Sequence, residues 1–300
     1  MMALTQAFWN RMRQVARAIG LRNPYAAHTP SNWMSPRATL ADIEYQISYG
    51  IQCGELYAYR LQRLGVHADA RIMEIGPGVA FGGMAYLRAA GMSVTVSDRW
   101  LAPWFDEFHS AVYAGIADRL EGRQGFDVSP LRQMVAAKGY DNESIVCVQK
   151  AAEQLTDIGL GEFDAIVSNA VLEHVQSLDT TLASLFKLTR SGGIGIHQVD
   201  FRDHRNFDQP LEHLLLTPRQ FEELNKAVHL EFGSRRRYPD YANSISRAGF
   251  QIEAYDITQH IDERYLDRVV ERLSRKRHAD PAWSRTTLAQ LGGLFSLRKP

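Results

Sequence analysis

The apolar positions of this chain change period near residue 70. Before that point they recur at helical spacing. Leu4, Phe8, Met12, Val15 and Ile19 lie three or four positions apart, with Arg11, Arg13 and Arg17 between them, which predicts a basic amphipathic helix. Such a helix docks on the main domain or on a partner subunit, or it lies on an anionic membrane surface. Pro24, Pro30 and Pro36 then break regularity, and 29–33 reads as a loop. Ile43, Ile47, Ile51, Leu56, Tyr59 and Arg63 predict a second helix from about 40 to 64, with Gly65 as its stop.

From Arg71 onward, short apolar runs alternate with helix-compatible segments. Strands are predicted near 71–75, 93–97, 144–149, 163–168 and 193–199, and helices at about 81–90, 101–121 and 178–189. Alternation of this kind predicts a parallel, doubly wound sheet. The stretch 99–143 is long for one connection. Its middle, from Trp104 to Tyr113, is aromatic and helical in period. That helix either walls a substrate pocket above the strand ends or packs into the core. A further helix is expected from Thr217 and a late strand at about 250–256. No internal repeat or low-complexity tract interrupts the pattern.

Composition narrows the class. Three hundred residues, 45% hydrophobic and 23% charged, are those of an ordinary globular protein able to bury a large core. Lys plus Arg equals Asp plus Glu at 34 each, so nothing favours a nucleic-acid polyanion as partner. Cys53 and Cys147 provide neither a disulfide framework nor a metal spacing. Cys147 lies in an apolar run and is expected to be buried. No run approaches a membrane span, and the first residues lack a signal-peptide core, so a cytoplasmic location is expected by default.

The candidate chemistry begins at 71–83. The run Arg71-Ile72-Met73-Glu74-Ile75 opens into Gly76-Pro77-Gly78, a helix-compatible segment follows, and a second apolar run ends at Asp98, twenty residues beyond Gly78. This is the layout of a nucleotide-type cofactor site at the end of a parallel sheet. Glycines let the backbone turn sharply and approach a ligand closely, and a carboxylate after the second strand can accept both hydroxyls of a ribose. A dinucleotide fold wants a third small residue where this chain has Phe81, and the next glycine falls one position late at Gly82.

Glu74-Ile75-Gly76-Pro77-Gly78 resembles motif I of the class I S-adenosylmethionine-dependent methyltransferases. The resemblance covers about 71–300. It implies an α/β, Rossmann-like, mostly parallel seven-stranded sheet with an antiparallel last strand, and 291–300 resembles that strand. It also implies a helical N-terminal extension or cap at 1–66 and a catalytic domain at 67–300 with a helical insertion at about 99–143. Asp98 sits where the family's ribose acid sits, with Arg99 after it. The segment 148–155, containing Ala152 and Glu153, resembles the turn that flanks the adenine. The segment 163–175, containing Asn169, Ala170 and Leu172-Glu173-His174, resembles the fourth strand and its turn. Residues 188–193 resemble the glycine turn into strand five. Implied cofactor-binding residues are therefore Glu74, Gly76, Pro77, Gly78, Asp98, Arg99, Ala152, Glu153, Asn169 and Ala170, with S-adenosyl-L-methionine as cofactor.

The acceptor is written less clearly. Asn169-Ala170-Val171-Leu172 is not the motif of enzymes that methylate nucleobase amino groups, and no Pro-Cys nucleophile is present, so a flipped base has no support. The segment 199–204 resembles methyltransferases of sugar, polysaccharide and natural-product pathways, which implies a small-molecule or glycosyl hydroxyl as acceptor. A hydroxyl must lose a proton, and the base must follow strand four or five. The candidates are His174, Asp200 and His204, with His204 as leading base and Asp200 orienting it. His197 lies within a strand and is expected to be structural. Metal assistance stays open, but no metal-ligand spacing forces it. The run Gly233-Ser234-Arg235-Arg236-Arg237-Tyr238 is either a solvated face or a holder for a substrate phosphate or carboxylate through Arg235 or Arg237. Two rival functions stay open: an NAD(P)-dependent oxidoreductase, and a cofactor-binding scaffold without turnover. A homodimer through the first helix is also expected.

Overall fold

A computed structural model describes residues 36, 38–140, 143–157, 159–226 and 232–300. The amphipathic segment 4–19 and the loop at 29–33 lie outside the described residues. Seven strands form one sheet: β1 Arg71–Ile75, β2 Ser93–Asp98, β3 Ile145–Gln149, β4 Phe163–Asn169, β5 Thr189–Asp200, β6 Gln251–His260 and β7 Gln290–Arg298. Their spatial order is β3-β2-β1-β4-β5-β7-β6. β1 pairs in parallel with β2 and β4, β2 with β3, and β4 with β5. β7 runs antiparallel between β5 and β6. The doubly wound sheet with an antiparallel closing strand is therefore as expected.

The order of crossovers reverses between β1 and β4, which places the ligand crevice at the carboxyl ends of those two strands. Both faces of the sheet are covered. On one face, α1 Leu40–Arg63, α2 Gly82–Ala89 and α3 Asp106–Leu120 bury Ile47, Tyr57, Met84, Leu87, Val112 and Ile116 against Ile72, Val94 and Val167. On the other, α5 Leu178–Leu188 and α7 Tyr238–Ala248 bury Leu182, Leu185, Tyr241 and Ile245 against Met73, Ile166 and Phe295. Between these helices in sequence lie α4 Ser129–Ala137 and α6 Pro218–Lys226. A third apolar cluster joins α8 Glu263–Ser274 and α9 Arg285–Leu288 to Leu211 and Leu214.

The caps explain several boundaries. Thr39 accepts from the amide of Asp42 at the start of α1, Ser177 from that of Thr180 at α5, and Asp262 from that of Tyr265 at α8. Each satisfies an amide that has no partner within its helix. α1 and α2 approach so closely that a Cβ on Gly50 would stand 2.7 Å from the Cα of Gly82.

Several expectations need correction. The helix expected at 101–121 begins at Asp106, because 101–105 first turns the chain over the sheet end. Strand five begins at Thr189 rather than after a glycine turn. Phe163 pairs with Thr189, the register then shifts, and Ala165 pairs with Ile194, so the glycines form a bulge inside the strand, with Gly192 at φ +72°. Cys147 is only half-buried, because β3 is an edge strand. Helices α7, α8 and α9 have no counterpart among the expected elements, while α4 falls within the helical insertion expected at about 99–143. α7 buries only one aliphatic residue, Ile245, beside Tyr241 and Ser244. α8 does carry a helical stripe, Tyr265, Leu266, Val269 and Leu273. The aromatic helix α3 packs into the core through Phe108, Val112 and Tyr113.

Candidate active site

The glycine turn follows β1 at the crevice. Gly76 has φ +64° and Gly78 φ +71°, conformations that a Cβ disfavours. The two glycines differ in what surrounds them. A Cβ on Gly76 would stand 2.3 Å from Val171 Cγ2, so this glycine lets the turn after β4 pack against it. A Cβ on Gly78 would meet nothing within 4 Å, so its face is open. Pro77 holds φ between them. Phe81, in the position that rejected a dinucleotide pattern, adopts φ +51° and is fully buried, stacked on Tyr140 at 4.8 Å.

Glu74 points from β1 toward α1 and is almost fully buried. Its Oε1 accepts from Tyr57 Oη at 2.8 Å, while Oε2 has no protein partner. Burial pushes the carboxyl up to about 8. α1 also supplies Tyr49 and Cys53. The Asn169 amide donates to Tyr49 Oη at 2.6 Å and lies 3.6 Å from Cys53 Sγ, so α1 contacts the ends of both β1 and β4. Ala170, the next residue, is held at φ +55°, and its amide donates to Gln198 O. A non-glycine residue in that region is strained, and such positions cluster at functional turns.

Asp98 ends β2 beside the crevice. Its Oδ1 accepts from the Trp100 amide at 2.9 Å, and burial raises its carboxyl above the usual value. Arg99 turns its guanidinium over the Trp100 ring at 5.3 Å. Ala152 and Glu153 start a short 3-10 turn, Ala152–Asp157, after β3. Glu153 Oε1 accepts from the Gln176 amide at 3.1 Å and so ties that turn to the segment after His174. His109 is a further contributor, unread in the sequence. The Phe105 amide donates to its Nδ1 at 2.8 Å, so Nε2 carries the hydrogen that it donates to Val79 O at 2.9 Å. This pins the chain just after the glycine turn. Burial lowers the imidazole pKa.

The three candidate bases are brought together. The His174 and His204 rings lie 4.9 Å apart by centroid, and Asp200 Oδ2 is 3.5 Å from His204 Nε2. Asp200 is gripped by Arg202, whose Nε lies 2.9 and 3.1 Å from its two oxygens and whose Nη2 lies 2.6 Å from Oδ2. His204 and Arg202 offset the effect of burial and hold the Asp200 carboxyl below the usual range. Glu173, adjacent to His174, is the group missed. It is buried, its Oε1 accepts from the Asp200 amide at 3.1 Å, and its Oε2 has no hydrogen-bond partner. Burial pushes it up to about 8. Its signal was its place beside His174 in the turn that packs on Gly76. His197 stays within β5, its Nδ1 2.8 Å from Ser168 Oγ, and burial pushes it down to about 4.

A cleft of about 710 Å³ opens beside this cluster. Glu173 lines it with Phe221, Lys226, Ser234, Arg235 and Trp283. Arg235 stacks over Trp283 at 4.9 Å. Arg237 does not reach it. That side chain is fully buried, donates to Phe201 O and lies 3.0 Å from His213 Nε2, so it is an internal brace and no substrate ligand.

The residues present fit a cofactor with a cationic amino-acid end and a ribose. Gly78 with its open face, Glu74 with its buried, unpartnered Oε2, and Asp98 stand at the carboxyl ends of the neighbouring strands β1 and β2. A family model described as a methyltransferase domain matches residues 49–220, more than half of the chain. It decides against the nicotinamide reading. No curated protein matches the chain. Similar solved structures include an S-adenosylmethionine-dependent methyltransferase from Mesorhizobium loti (14% identity, 79% of this chain and 95% of that one, TM-score 0.44). Another is phosphoethanolamine N-methyltransferase 2 of Haemonchus contortus in complex with S-adenosyl-L-methionine (14% identity, 82% of this chain and 52% of that one, TM-score 0.44). A third is an arsenic(III) S-adenosylmethionine methyltransferase from Chlamydomonas reinhardtii (15% identity, 76% and 62%, TM-score 0.40).

Proposed function

The chain belongs to the S-adenosylmethionine-dependent methyltransferase family, and from that membership we propose that it methylates a hydroxyl of a small-molecule or glycosyl acceptor bound in the cleft beside Glu173. The observation that carries this reading is the meeting of three features at the ends of β1, β4 and β5. The open glycine turn touches the 170–174 turn, that turn carries Glu173 and His174, and the cleft opens on Glu173.

When bound, the cofactor supplies an electrophilic methyl group on a sulfonium. Glu74 and the Gly76-Pro77-Gly78 turn hold its amino-acid end, Asp98 its ribose, and Ala152, Glu153 and Arg99 border the adenine side. Asn169 and Ala170 complete the cofactor site at the end of β4. The described part of the cap, α1, supplies Tyr49 and Tyr57. The cleft combines aromatic faces, Phe221 and Trp283, with polar groups of both charges, Arg235, Lys226, Glu222 and Asp280, which suits a polar, ring-bearing acceptor. His204, steadied by Asp200, takes the hydroxyl proton, with His174 beside it. Placement of acceptor and base supplies most of the rate, because a group held in line reacts as if at very high concentration.

A reducing, cytoplasmic setting suits the two free cysteines. Among the described residues no helix is long and apolar enough to cross a membrane.

Calorimetric titration with S-adenosylmethionine tests the first half. One site is expected, weakened roughly ten- to hundredfold by Asp98→Ala. A panel of hydroxylated, aminated and thiol acceptors, read by methylated product, tests the second. Product only on amines would move the acceptor class from oxygen to nitrogen, and cofactor binding with no product on any acceptor would favour the scaffold.

A further inference from the structure

Glu173, His174 and His204 come from two different turns, after β4 and after β5, yet one ligand atom from each lies within 4.8 Å of the others. Among the described residues theirs is the sole grouping of three potential metal-binding side chains this close. Bonds of about 2.0–2.2 Å to a central ion put ligands about 3–4 Å apart, so small side-chain rotations complete the set. Glu173 is 2% exposed and His204 5%. Glu173 is fixed by one oxygen, because Oε1 accepts from the Asp200 amide at 3.1 Å. The other oxygen, Oε2, is buried with no hydrogen-bond partner. A buried carboxyl oxygen without a hydrogen-bond partner is costly in either protonation state, and a cation that displaces its proton and takes the oxygen as ligand relieves it.

We infer that Glu173, His174 and His204 form a binding site for one divalent transition-metal cation, beside the acceptor cleft.

The donor chemistry selects the cation. Two imidazoles and one carboxylate suit zinc, cobalt, manganese or ferrous iron better than the harder magnesium or calcium, which want an all-oxygen shell. Three protein ligands leave coordination positions open, as in catalytic rather than structural sites. Of the three, Glu173 also lines the cleft proposed for the acceptor. Asp200 stands beside His204 at 3.5 Å, itself gripped by Arg202. A carboxylate in that place steadies a ligating imidazole.

The inference rests on the proposed function only for what the cation acts on. A hydroxyl bound to such a cation gives up its proton more readily. An imidazole that ligates the cation cannot also take the proton, so the cation and the metal-free, Asp200-held His204 are alternative routes to the same alkoxide, and chelation separates them.

The test titrates chelator-treated, metal-free protein with Co²⁺, followed by visible absorption and calorimetry. One Co²⁺ per chain is expected. Glu173→Gln and His174→Ala should each weaken it about tenfold or more, while His260→Ala, at an exposed histidine, leaves it unchanged. Thermal melts confirm that each variant is folded; His174 is the least buried ligand, so its variant keeps the test valid if Glu173→Gln does not fold. Absence of stoichiometric binding, or binding indifferent to both substitutions, overturns the inference. S-adenosylmethionine titration of the same samples keeps the two claims apart. Cobalt binding without cofactor binding would sustain this site and remove the methyltransferase reading. Cofactor binding and undiminished transfer without any Co²⁺ site would do the reverse.

Discussion

Tyr57 donates its hydroxyl hydrogen to Glu74 Oε1 at 2.8 Å. A helix that precedes the sheet thereby holds the carboxylate on its central strand. Glu74 is the buried acid on β1 beside the glycine turn, and burial pushes it up to about 8. Burial thus favours its protonated form near neutral pH.

Cofactor binding should reveal this. A cationic ammonium beside Glu74 favours the carboxylate, so binding near pH 7 releases a proton. Affinity should rise as pH increases toward about 8, by at most tenfold per unit. Calorimetry in buffers of different ionisation enthalpy will show the released proton in the parent protein and its loss in Glu74→Gln. Without ligand the sign on stability is opposite. An acid whose folded pKa is raised contributes most below the unfolded value and loses that contribution as pH rises to about 8. Glu74→Gln should therefore be less destabilised than the parent on going from pH 5 to pH 8. An unchanged slope would contradict the assignment.

His204→Ala should leave S-adenosylmethionine binding intact and lower single-turnover methyl transfer by about 10²–10⁴. Asp200→Asn should lower transfer less, because it removes only the group that steadies the ring. Transfer unchanged at saturating cofactor would remove His204 from the reaction.

Gly50→Ala should destabilise the protein by about 1–3 kcal/mol. Its new Cβ would stand 2.7 Å from the Gly82 backbone, and backbone cannot rotate out of the way. Because α1 also carries Tyr49 and Tyr57, cofactor affinity should fall together with the melting temperature. Full affinity in a destabilised variant would uncouple α1 from the site.

Arg237→Met should lower stability by about 1–3 kcal/mol, since it leaves the buried Phe201 carbonyl and His213 ring without their donor. Binding of charged and neutral acceptors should fall alike. A loss confined to charged acceptors would return Arg237 to the substrate.

The parallel strands and the cofactor motif are legible in the chain itself. Five apolar runs of strand length, two of them ending in Gly76-Pro77-Gly78 and Asp98, are local signals, and parallel strands buried on both faces must be apolar throughout. Helix α7 is not legible there, because it buries Tyr241 and Ser244 as much as Ile245. The half-burial of Cys147 depends on β3 lying at an edge, which a run of apolar letters does not record.

The site divides along the same line. Glu74, Gly76, Gly78 and Asp98 lie within one strand-turn-helix-strand unit, so chain spacing alone determined their grouping, while the cofactor class came from the resemblance of that unit to the family's first motif. The pairing of Tyr57 with Glu74, the burial of Arg237 and the meeting of Glu173 and His174 with His204, thirty positions later, were decided only by the tertiary structure. They join separate turns and helices through the crossover of β4 and β5 and the packing of α1 and α2. Side chains from such elements meet by shape and burial, which no periodicity along the chain encodes.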